Sequence, residues 1–153
     1  MSPQLIDSKT GQQSHGTLLL RTLAMPSNTN ANGDIFGGWI MSQMDIGGAI
    51  LAKEIAHGRV VTVAVESMNF IQPVSVGDVV CCYGQCLHVG RSSIKIKVEV
   101  WVKKVASEPI GERYCVTEEQ FTFVAVDPQG KPRAIPRENN HELDAALAHM
   151  KTP

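Results

Sequence analysis

Hydrophobic residues repeat at helical spacing over one long segment of the chain. Over residues 37–56 they recur every three or four positions, as on one face of an α-helix. The residues on that face are Ile40, Met41, Met44, Gly48, Leu51 and Ile55. Ile46 and Ile50 occupy the opposite side, so we expect protein to surround this helix on almost all sides. The pattern predicts a helix over 37–56 that ends at His57 and Gly58.

Five other segments have the length and apolar content of β-strands. They are Thr17–Ala24, Arg59–Phe70, Gly77–Val89, Ser93–Val105 and Arg113–Asp127. Alternation is clearest in the fourth segment, where Lys95, Lys97 and Glu99 share one face and valine and isoleucine side chains share the other. One long helix ahead of a run of strands predicts the α+β class with a meander-like antiparallel sheet.

Polar stretches at both ends divide the chain into three parts. Residues 1–16 are polar and predict a flexible N-terminal tail, whereas residues 17–136 hold the long helix and the strands. Residues 137–153 are a C-terminal helical extension, in which the segment 138–150 predicts a short helix. The chain has no internal repeat, so we expect one globular domain.

Composition narrows the class of protein without identifying it. The 153 residues are 43% hydrophobic and carry a formal net charge of −1, which fits one domain with a buried core. No basic excess indicates a nucleic-acid partner. No apolar run approaches the ~20 residues that span a membrane, and the first residues lack the pattern of a secretory signal. These features predict a cytoplasmic protein without membrane contact.

The four cysteines are predicted to be buried thiols. Cys81 and Cys82 are adjacent in a strand and therefore point to opposite faces. Cys82 and Cys86 share a face but lie ~13 Å apart along an extended strand, too far for a disulfide without a bend. Neither spacing matches a zinc motif, and no histidine is close enough to complete one. We therefore expect no metal site.

Asp34 and Asp45 lie on either side of a glycine pair at the start of the predicted helix. Asp45 lies at the edge of the apolar face, with no cation three or four positions away. A carboxylate there costs free energy unless it is hydrogen-bonded or functional, although most helical aspartates are solvated or capping residues. Gly37 and Gly38 leave backbone N–H groups free at the helix start, which suits a developing oxyanion. Asp45 cannot easily reach that region of its own helix, but it could reach one in a neighbouring copy.

The segment from Leu23 to Val80 carries a family resemblance. It contains NGDIFGGWIMSQMDIGG (32–48), and the similarity continues through VGRSSIKIKVEVWVKKVASEPIGERY (89–114) to about Pro136. In the order and spacing of these motifs the chain resembles the YciA-type bacterial acyl-CoA thioesterases of the hotdog fold. The resemblance implies a curved antiparallel sheet wrapped around one long central helix. It also implies homo-oligomers, with dimers commonly stacked into a hexamer as a trimer of dimers and active sites between subunits.

The implied activity is hydrolysis of acyl-CoA thioesters to free carboxylic acids and coenzyme A (CoA), with broad acyl specificity. Asp45 matches the catalytic carboxylate and would act as general base on water or as nucleophile, and the sequence leaves both routes open. Asp34 stands where related thioesterases often have Asn, so it would position water or the loop, or only cap the loop. The backbone N–H of Gly38, with that of Gly37, would stabilise the oxyanion. The resemblance implies no required cofactor, since CoA is part of the substrate and product.

The resemblance also implies that the turn between the third and fourth predicted strands binds CoA phosphates, through Gly90, Arg91, Ser92 and Ser93. Arg91 would make a forked contact with phosphate oxygens, although without the resemblance these residues read as a polar hairpin turn. Weaker candidates are Arg59, Lys103 and Lys104. Asn28 would contact the nucleotide or the opposite subunit, or it is simply a turn former.

Five apolar side chains are candidates for an acyl tunnel or for the hydrophobic core: Trp39, Met41, Met44, Met68 and Phe70. Two functions besides thioester hydrolysis remain open. Dehydration of a hydroxyacyl thioester on the same fold usually needs a histidine in the helix region, and none occurs between His15 and His57. A non-catalytic acyl-CoA sensor or carrier would need an added partner-binding module, for which the two terminal segments offer little room.

Overall fold

One antiparallel sheet and one long helix make up most of the molecule. The structure is a computed structural model that describes residues 4–66, 69 and 72–150. The strands are β1 (Thr17–Leu23), β2 (Val60–Val65), β3 (Val79–Val89), β4 (Ser93–Lys103) and β5 (Arg113–Ala125), and the helices are α1 (Gly37–Ala56) and α2 (His141–Met150). All five strands form a single sheet in the order β1–β3–β4–β5–β2, with every pair antiparallel. The predicted α+β class is confirmed.

The central helix α1 has the bounds that the sequence predicts. It ends at Ala56, where His57 adopts a left-handed φ of 53° and Gly58 follows. The Gly58 N–H donates to the Lys53 carbonyl at 3.2 Å and closes the last turn. Because the chain reverses within these residues, β2 follows α1 directly and lies beside it.

The main core lies between α1 and one face of the sheet. Phe121 and Phe123 of β5 stack there with their ring centroids 6.3 Å apart. The side chains of β4 on the same face are fully buried, as the alternation predicts, and they are Ile94, Ile96, Val98, Val100 and Val102. Burial of a side chain of this size contributes roughly 1.5–3 kcal/mol, so this layer dominates the hydrophobic stabilisation of the fold.

Two glycines in α1 let the helix lie close to the sheet. A β-carbon on Gly48 would lie 3.0 Å from the ring of Phe123, which is tighter than normal packing. A β-carbon on Gly47 would lie 3.4 Å from Leu19 Cβ and 3.5 Å from Cys82 Cβ, which are ordinary van der Waals distances. Gly48 therefore marks the tighter of the two contacts between α1 and the sheet.

The prediction that protein surrounds α1 on almost all sides is wrong for the single chain. Helical spacing places Met41 on the apolar face, but its side chain is exposed, as are those of Ile46 and Ile50 on the far side. The sheet covers only one side of the helix, and no second layer formed by residues that the structure describes covers the other. One face of α1 is therefore both apolar and open to solvent.

β2 is shorter than the predicted strand at 59–70 and lies at one edge of the sheet. It covers Val60–Val65 and pairs with β5 only. Met68 and Phe70 lie outside the described residues. The exposed side chains of Val63 and Val65 extend the open apolar surface from α1 onto this edge strand.

Local hydrogen bonds set some of the element ends inside the predicted bounds. β3 begins at Val79 because the buried Asp78 carboxylate accepts from the N–H of Ser75 at 2.9 Å and holds a turn there. α2 begins later than predicted because Asn140 Oδ1 accepts from the N–H of Leu143 at 3.0 Å and caps the helix. β1, β4 and β5 end one or two residues before their predicted limits.

The N-terminal segment packs on the outer face of the sheet, which is turned away from α1. Leu5 is buried there in a second, smaller apolar cluster with Cys81, Tyr83 and Trp101. The Leu5 N–H donates to Ser14 Oγ at 2.9 Å, and both residues are buried. Residues 4–16 are therefore part of the packed fold, in contrast to the predicted flexible tail.

Glu99 points to the outer face, as the alternation predicts, but it is buried there. Its carboxylate accepts hydrogen bonds from Trp101 Nε1 at 2.9 Å and from the His15 N–H at 3.2 Å. The His15 ring also lies against it, with Nδ1 2.9 Å from Glu99 Oε2. Since a buried carboxylate is costly without partners, these contacts join the N-terminal segment firmly to β4.

The four cysteines are free thiols, and Cys81, Cys82 and Cys86 are buried as predicted, whereas Cys115 is only half-buried. Cys82 belongs to the main core and Cys81 to the outer cluster, so these adjacent side chains do point to opposite faces. Burial raises the pKa of Cys82 to about 12 and that of Cys86 to about 11. Thiols with such pKa values stay protonated and unreactive near neutral pH.

The two helix glycines allow a matched test of the close packing. Gly47→Ala gains helix propensity without a clash, so we expect the free energy of unfolding to rise by up to ~1 kcal/mol. Gly48→Ala gains the same propensity but presses its β-carbon against Phe123, so we expect it to be less stable than Gly47→Ala by ~1–2 kcal/mol. Urea unfolding of both variants at one protein concentration measures the difference. Equal stabilities would contradict the close approach at Gly48.

Candidate active site

Asp45 is joined to the edge strand by a short hydrogen bond. Thr62 Oγ1 of β2 donates to Asp45 Oδ1 at 2.6 Å, and the Asp45 side chain is half-buried. Among the described residues no cation pairs with this carboxylate. The partner is therefore a neutral hydroxyl, which holds one carboxylate oxygen and leaves Oδ2 available.

Sequence reasoning missed Thr62, although a signal for it exists. Thr62 is the one polar residue in VVTVAV, the sequence of β2. Its hydroxyl is 17 positions from Asp45, so only the packing of α1 beside β2 brings the two together. A lone hydroxyl in an apolar strand, next to a helix whose central part carries one carboxylate among apolar residues, would have indicated the pair.

The surface around this pair is mostly apolar. On α1 the exposed side chains next to Asp45 are the apolar Met41 and Ile46 and the polar Ser42, and on β2 those of Val63 and Val65 flank the strand beyond Thr62. Exposed apolar patches of this kind are typical of protein–protein or ligand-binding surfaces. The Asp45 carboxylate therefore lies within a surface whose apolar side chains would be more stable in contact with a protein or ligand than with water.

The start of α1 offers backbone donors. The N–H groups of Trp39 and Ile40 donate to the Phe36 carbonyl at 3.1 and 3.2 Å. Those of Gly37 and Gly38 have no acceptor within the described part of the chain, and the space next to Gly38 is open. Two N–H groups at the positive end of the α1 dipole are therefore free to bind an oxyanion.

Asp45 and Gly38 are too far apart to act on one atom within a single chain. They are separated by seven residues of α1, which is ~10 Å along the helix axis. A hydrogen bond reaches only ~3 Å. The structure thus brings Asp45 to Thr62 but leaves the predicted oxyanion donors two turns away.

The loop before α1 places Asp34 without using its carboxylate. Asn30 Oδ1 accepts from the N–H groups of Asn32 at 2.9 Å and Asp34 at 3.2 Å, so Asn30 caps this loop. The exposed Asp34 carboxylate makes no hydrogen bond to a residue that the structure describes. Asn30 rather than Asp34 therefore caps this loop among the described residues. The Asp34 carboxylate is free to contact water or another molecule.

Asn28 forms a turn, as one of its two interpretations predicts. Its Oδ1 accepts from the Met25 N–H at 3.2 Å, and its carbonyl accepts from the Phe36 N–H at 3.0 Å. These bonds fix the loop that leads into α1. The amide NH2 of Asn28 remains as the part of the side chain that could contact a ligand.

The β3–β4 turn carries the residues predicted to bind phosphate. The Gly90 N–H donates to the Ser93 carbonyl at 2.8 Å, and a β-carbon on Gly90 would lie 2.7 Å from Ser93 Oγ, so a larger residue there would require the Ser93 side chain to rotate. The Ala125 N–H donates to the Ser92 carbonyl at 2.8 Å, which ties the turn to β5. Arg91 is exposed at the tip.

The weaker basic candidates fall at both ends of the sheet. Arg59 lies at the same end as the β3–β4 turn, since its carbonyl accepts from the Val126 N–H just after β5. Lys103 lies at the far end of β4, where it pairs in register with Arg113. Lys104 is engaged there by Asp78 Oδ2 at 2.9 Å. The structure therefore groups Arg59 with the turn and separates the two lysines from it.

The candidate tunnel residues have different environments. Met44 is fully buried in the main core, which favours the core interpretation for that side chain. Trp39 is half-buried at the start of α1 and packs against the core. Met41 lies on the exposed face near Asp45. Trp39 and Met41 are thus the described candidates that remain accessible to an acyl chain.

The part of the chain that the structure describes shows neither a metal-binding cluster nor a membrane-spanning helix. No group of three or more histidine, cysteine, aspartate or glutamate side chains in that part could hold a metal ion. No helix in residues 4–66, 69 and 72–150 is long and apolar enough to cross a membrane.

Comparison with known proteins establishes the family. Residues 32–108 match the thioesterase superfamily. A relative from Haemophilus influenzae, described as an uncharacterized acyl-CoA thioester hydrolase, is 83% identical over 148 residues, which are 97% of this chain and 96% of the relative. The chain belongs to the thioesterase superfamily. The acyl-CoA thioester hydrolase YciA of Escherichia coli is 71% identical to this thioesterase over 131 residues, which are 86% of this chain and 99% of YciA.

Solved structures agree with the fold. A hexameric broad-specificity acyl-coenzyme A thioesterase has a TM-score of 0.94 at 81% identity and matches 97% of this chain and 100% of its own. A mutant of that enzyme with an aspartate replaced by alanine has a TM-score of 0.89 at 83% identity, over 91% and 100% of the two chains. The hexameric hotdog-fold thioesterase of Campylobacter jejuni has a TM-score of 0.76 at 41% identity, over 85% and 95%. The predicted family and the hotdog fold are confirmed.

The Thr62 hydroxyl gives a testable role in thioester hydrolysis. Thr62→Val keeps the shape of the side chain but leaves Asp45 without its donor, so we expect turnover of an acyl thioester to fall about 10-fold. Thr62→Ser keeps the hydroxyl and serves as the matched control, with turnover near that of the native chain. Thiol release measures both. Native turnover in Thr62→Val would show that the hydrogen bond does not serve the reaction.

Proposed function

We propose that this thioesterase hydrolyses acyl-CoA thioesters to free carboxylic acids and CoA, with Asp45 as the catalytic carboxylate. Relatives that are 71% and 83% identical to the chain are named acyl-CoA thioester hydrolases. The observation that carries the assignment to Asp45 is the Thr62 hydrogen bond, which fixes a half-buried carboxylate beside the exposed apolar side chains of α1 and β2. A relative with 83% identity has been solved as an aspartate-to-alanine mutant, which agrees with a functional aspartate. Its name supports broad acyl specificity as well.

The chemistry has two routes that share the same groups. In the first, Asp45 takes a proton from water as the water oxygen attacks the thioester carbonyl carbon. The resulting oxyanion is stabilised by the N–H groups of Gly38 and Gly37 until the C–S bond breaks and the CoA thiolate leaves with the proton. In the second, Asp45 itself attacks, the thiolate leaves, and water hydrolyses the mixed anhydride. The Thr62 bond supports both routes because it orients one oxygen and leaves the other to react.

Each active site takes groups from two subunits. The ~10 Å that separates Asp45 from Gly38 along one helix prevents them from meeting at one carbonyl group within a chain. In a two-fold dimer, the exposed faces of two α1 helices meet, and the Asp45 of one subunit approaches the Gly38 of the other. Asp34 lies in the loop before the same helix, so its free carboxylate would position water at this interface.

The dimer forms through the open apolar surface of α1 and β2. The apolar residues of this surface are all solvent-exposed in the single chain. Their exposed fractions are 50% for Phe36, 38% for Met41, 51% for Ile46, 39% for Ile50, 55% for Val63 and 37% for Val65. The free edge of β2 can pair with its symmetry copy, which would satisfy its unpaired backbone groups. Related solved thioesterases are hexameric, and we propose the same for this chain as a trimer of dimers.

The CoA phosphates bind at the β3–β4 turn. Arg91 provides a fork of N–H groups, and Ser92 and Ser93 provide hydroxyls. In the sheet register, Ser93 pairs with Val124 and Val124 with Val61, so the turn lies ~10 Å from the residue before Thr62. The pantetheine arm has a backbone about as long as a tetrapeptide and spans ~14 Å when extended. Arg59 and the Asn28 amide are further candidates for the nucleotide.

Two other functions are weaker. Dehydration of a hydroxyacyl thioester usually needs a histidine beside the carboxylate. Among the described residues the hydrogen-bond partner of Asp45 is a threonine and not a histidine. A sensor or carrier without catalysis would not need a carboxylate fixed by Thr62 on an apolar face. We further propose that the enzyme works in the cytoplasm, needs no metal or other cofactor, and has no nucleic-acid or membrane partner, in line with the near-neutral charge of the chain.

The first test compares thiol release from short, medium and long acyl-CoAs. Asp45→Asn keeps the size of the side chain but removes the base, so we expect turnover to fall by about 10²–10⁴-fold for every chain length. Asp144→Asn, on the exposed surface of α2, removes the same charge far from the site and should keep native turnover. Binding of acyl-CoA without thiol release by the native chain would favour the sensor or carrier instead.

A second test asks whether the site spans two subunits. Gly38→Pro removes one N–H in the first turn of α1, where proline is tolerated, and Asp45→Ala removes the carboxylate. Each variant alone should be inactive. If Asp45 and Gly38 act across the dimer, hybrids formed by unfolding and refolding an equal mixture contain one intact site, so we expect about a quarter of native activity. A mixture that remains as inactive as its components, while gel filtration shows native-sized assemblies, would place both groups in one subunit.

A further inference from the structure

One end of the sheet collects arginines that no carboxylate neutralises. They are Arg59, Arg91, Arg133 and Arg137. Backbone hydrogen bonds bring their segments together: the Val126 N–H donates to the Arg59 carbonyl at 3.0 Å, and the Ile135 N–H donates to the Arg91 carbonyl at 2.8 Å. Within the described residues none of the four forms an ion pair. In a chain of net charge −1, this end is a local excess of positive charge.

The side chain of Arg137 is held against the β3–β4 turn. In the sequence, Arg137 lies just beyond the segment that carries the family resemblance. Its Nη2 donates to the Gly90 carbonyl, next to Arg91. A guanidinium has five N–H donors, so Arg137 keeps four for another acceptor. Its side chain is exposed, and Arg133 differs because it is half-buried and donates to the Val126 carbonyl at 3.0 Å. The Arg137 guanidinium is therefore oriented toward the turn, and most of its N–H donors remain available to a ligand.

The position of Arg137 is fixed by anchors on both sides of it. Asn140 is fully buried and donates from Nδ2 to the carbonyl of Pro136 at 2.8 Å and to that of Ile55, at the end of α1, at 2.8 Å. On the other side, the Ile135 N–H is bonded to Arg91. The C-terminal segment thus presents Arg137 from a rigid support.

The acidic residues nearby do not cancel this charge. Asp127 Oδ1 accepts from the N–H groups of residues 129 and 131 at 2.9 Å, which closes its own turn. Glu142 lies 3.1 Å from His57 Nε2. Glu138, the neighbour of Arg137, is exposed and makes no ion pair with a described residue. Two adjacent guanidinium groups with free donors are a suitable partner for phosphate oxygens.

We infer that Arg137 is a further CoA-binding residue that acts with Arg91 on the phosphate groups at the nucleotide end of the substrate. The inference rests on the proposed acyl-CoA thioesterase activity. It gives the segment after β5 a purpose, because that segment then lets the enzyme distinguish CoA thioesters from thioesters of pantetheine, which has no nucleotide. Since these contacts lie far from the reacting carbonyl, they act on substrate binding and leave the rate of the bound complex unchanged.

The test measures binding of CoA itself, which is not hydrolysed, so it does not depend on turnover. Calorimetry compares CoA, dephospho-CoA and pantetheine on the native protein, Arg137→Gln and Arg113→Gln. Arg113 lies at the opposite end of β5 and serves as the matched control for loss of one positive charge. We expect Arg137→Gln to weaken CoA about 10-fold or more and to leave pantetheine unaffected, with KM for acyl-CoA raised to the same extent and kcat native.

The outcomes separate clearly. Weaker binding of CoA but not of dephospho-CoA would support contact with the 3′-phosphate, and weaker binding of both would support contact with the diphosphate. Native CoA affinity in Arg137→Gln, or an equal loss for pantetheine, would overturn the inference. If the native protein bound no CoA, the proposed function would fall with it, and this result is distinct from a loss confined to the variant.

Discussion

The distance between α1 and the sheet is the constraint on which the rest of the site depends. Gly48 sets that distance, because a β-carbon there would meet Phe123 at 3.0 Å. Asp45 precedes Gly48 by one helical turn, so its carboxylate comes within 2.6 Å of Thr62. A side chain at position 48 that raised this turn by an ångström would break the hydrogen bond before it broke the fold. Close packing therefore serves to position a functional group as well as to bury apolar surface.

The sequence predicted those features that depend on local periodicity. The bounds of α1 follow from the glycine pair at its start and the His57-Gly58 stop after it, and both signals lie at the ends they set. The buried face of β4 follows from strict alternation. Asp45 was singled out because it lies at the edge of the apolar face of its helix with no cation three or four positions away. Gly37 and Gly38 were found because helix starts leave their N–H groups free.

Other features depend on which segments meet, and periodicity does not contain that information. Thr62 is important only because β2 lies beside α1. Met41 has the spacing of a core residue, but its side chain is exposed in the folded chain. Glu99 has the spacing of a surface residue, yet the N-terminal segment buries it with His15 and Trp101. Arg137 lies outside the recognised motifs, and it is the bond of its side chain to the Gly90 carbonyl that places it at the β3–β4 turn.

The free edge of β2 has a consequence for the chain before it assembles. Val63 and Val65 are exposed on a strand whose outer backbone groups have no partner among the described residues. An apolar edge of this kind is a template for any extended peptide that meets it. A newly synthesised chain therefore risks non-native strand addition until the correct surface covers it. In the proposed dimer the covering surface belongs to a second copy, so the encounter is a second-order process and dilution prolongs the vulnerable interval.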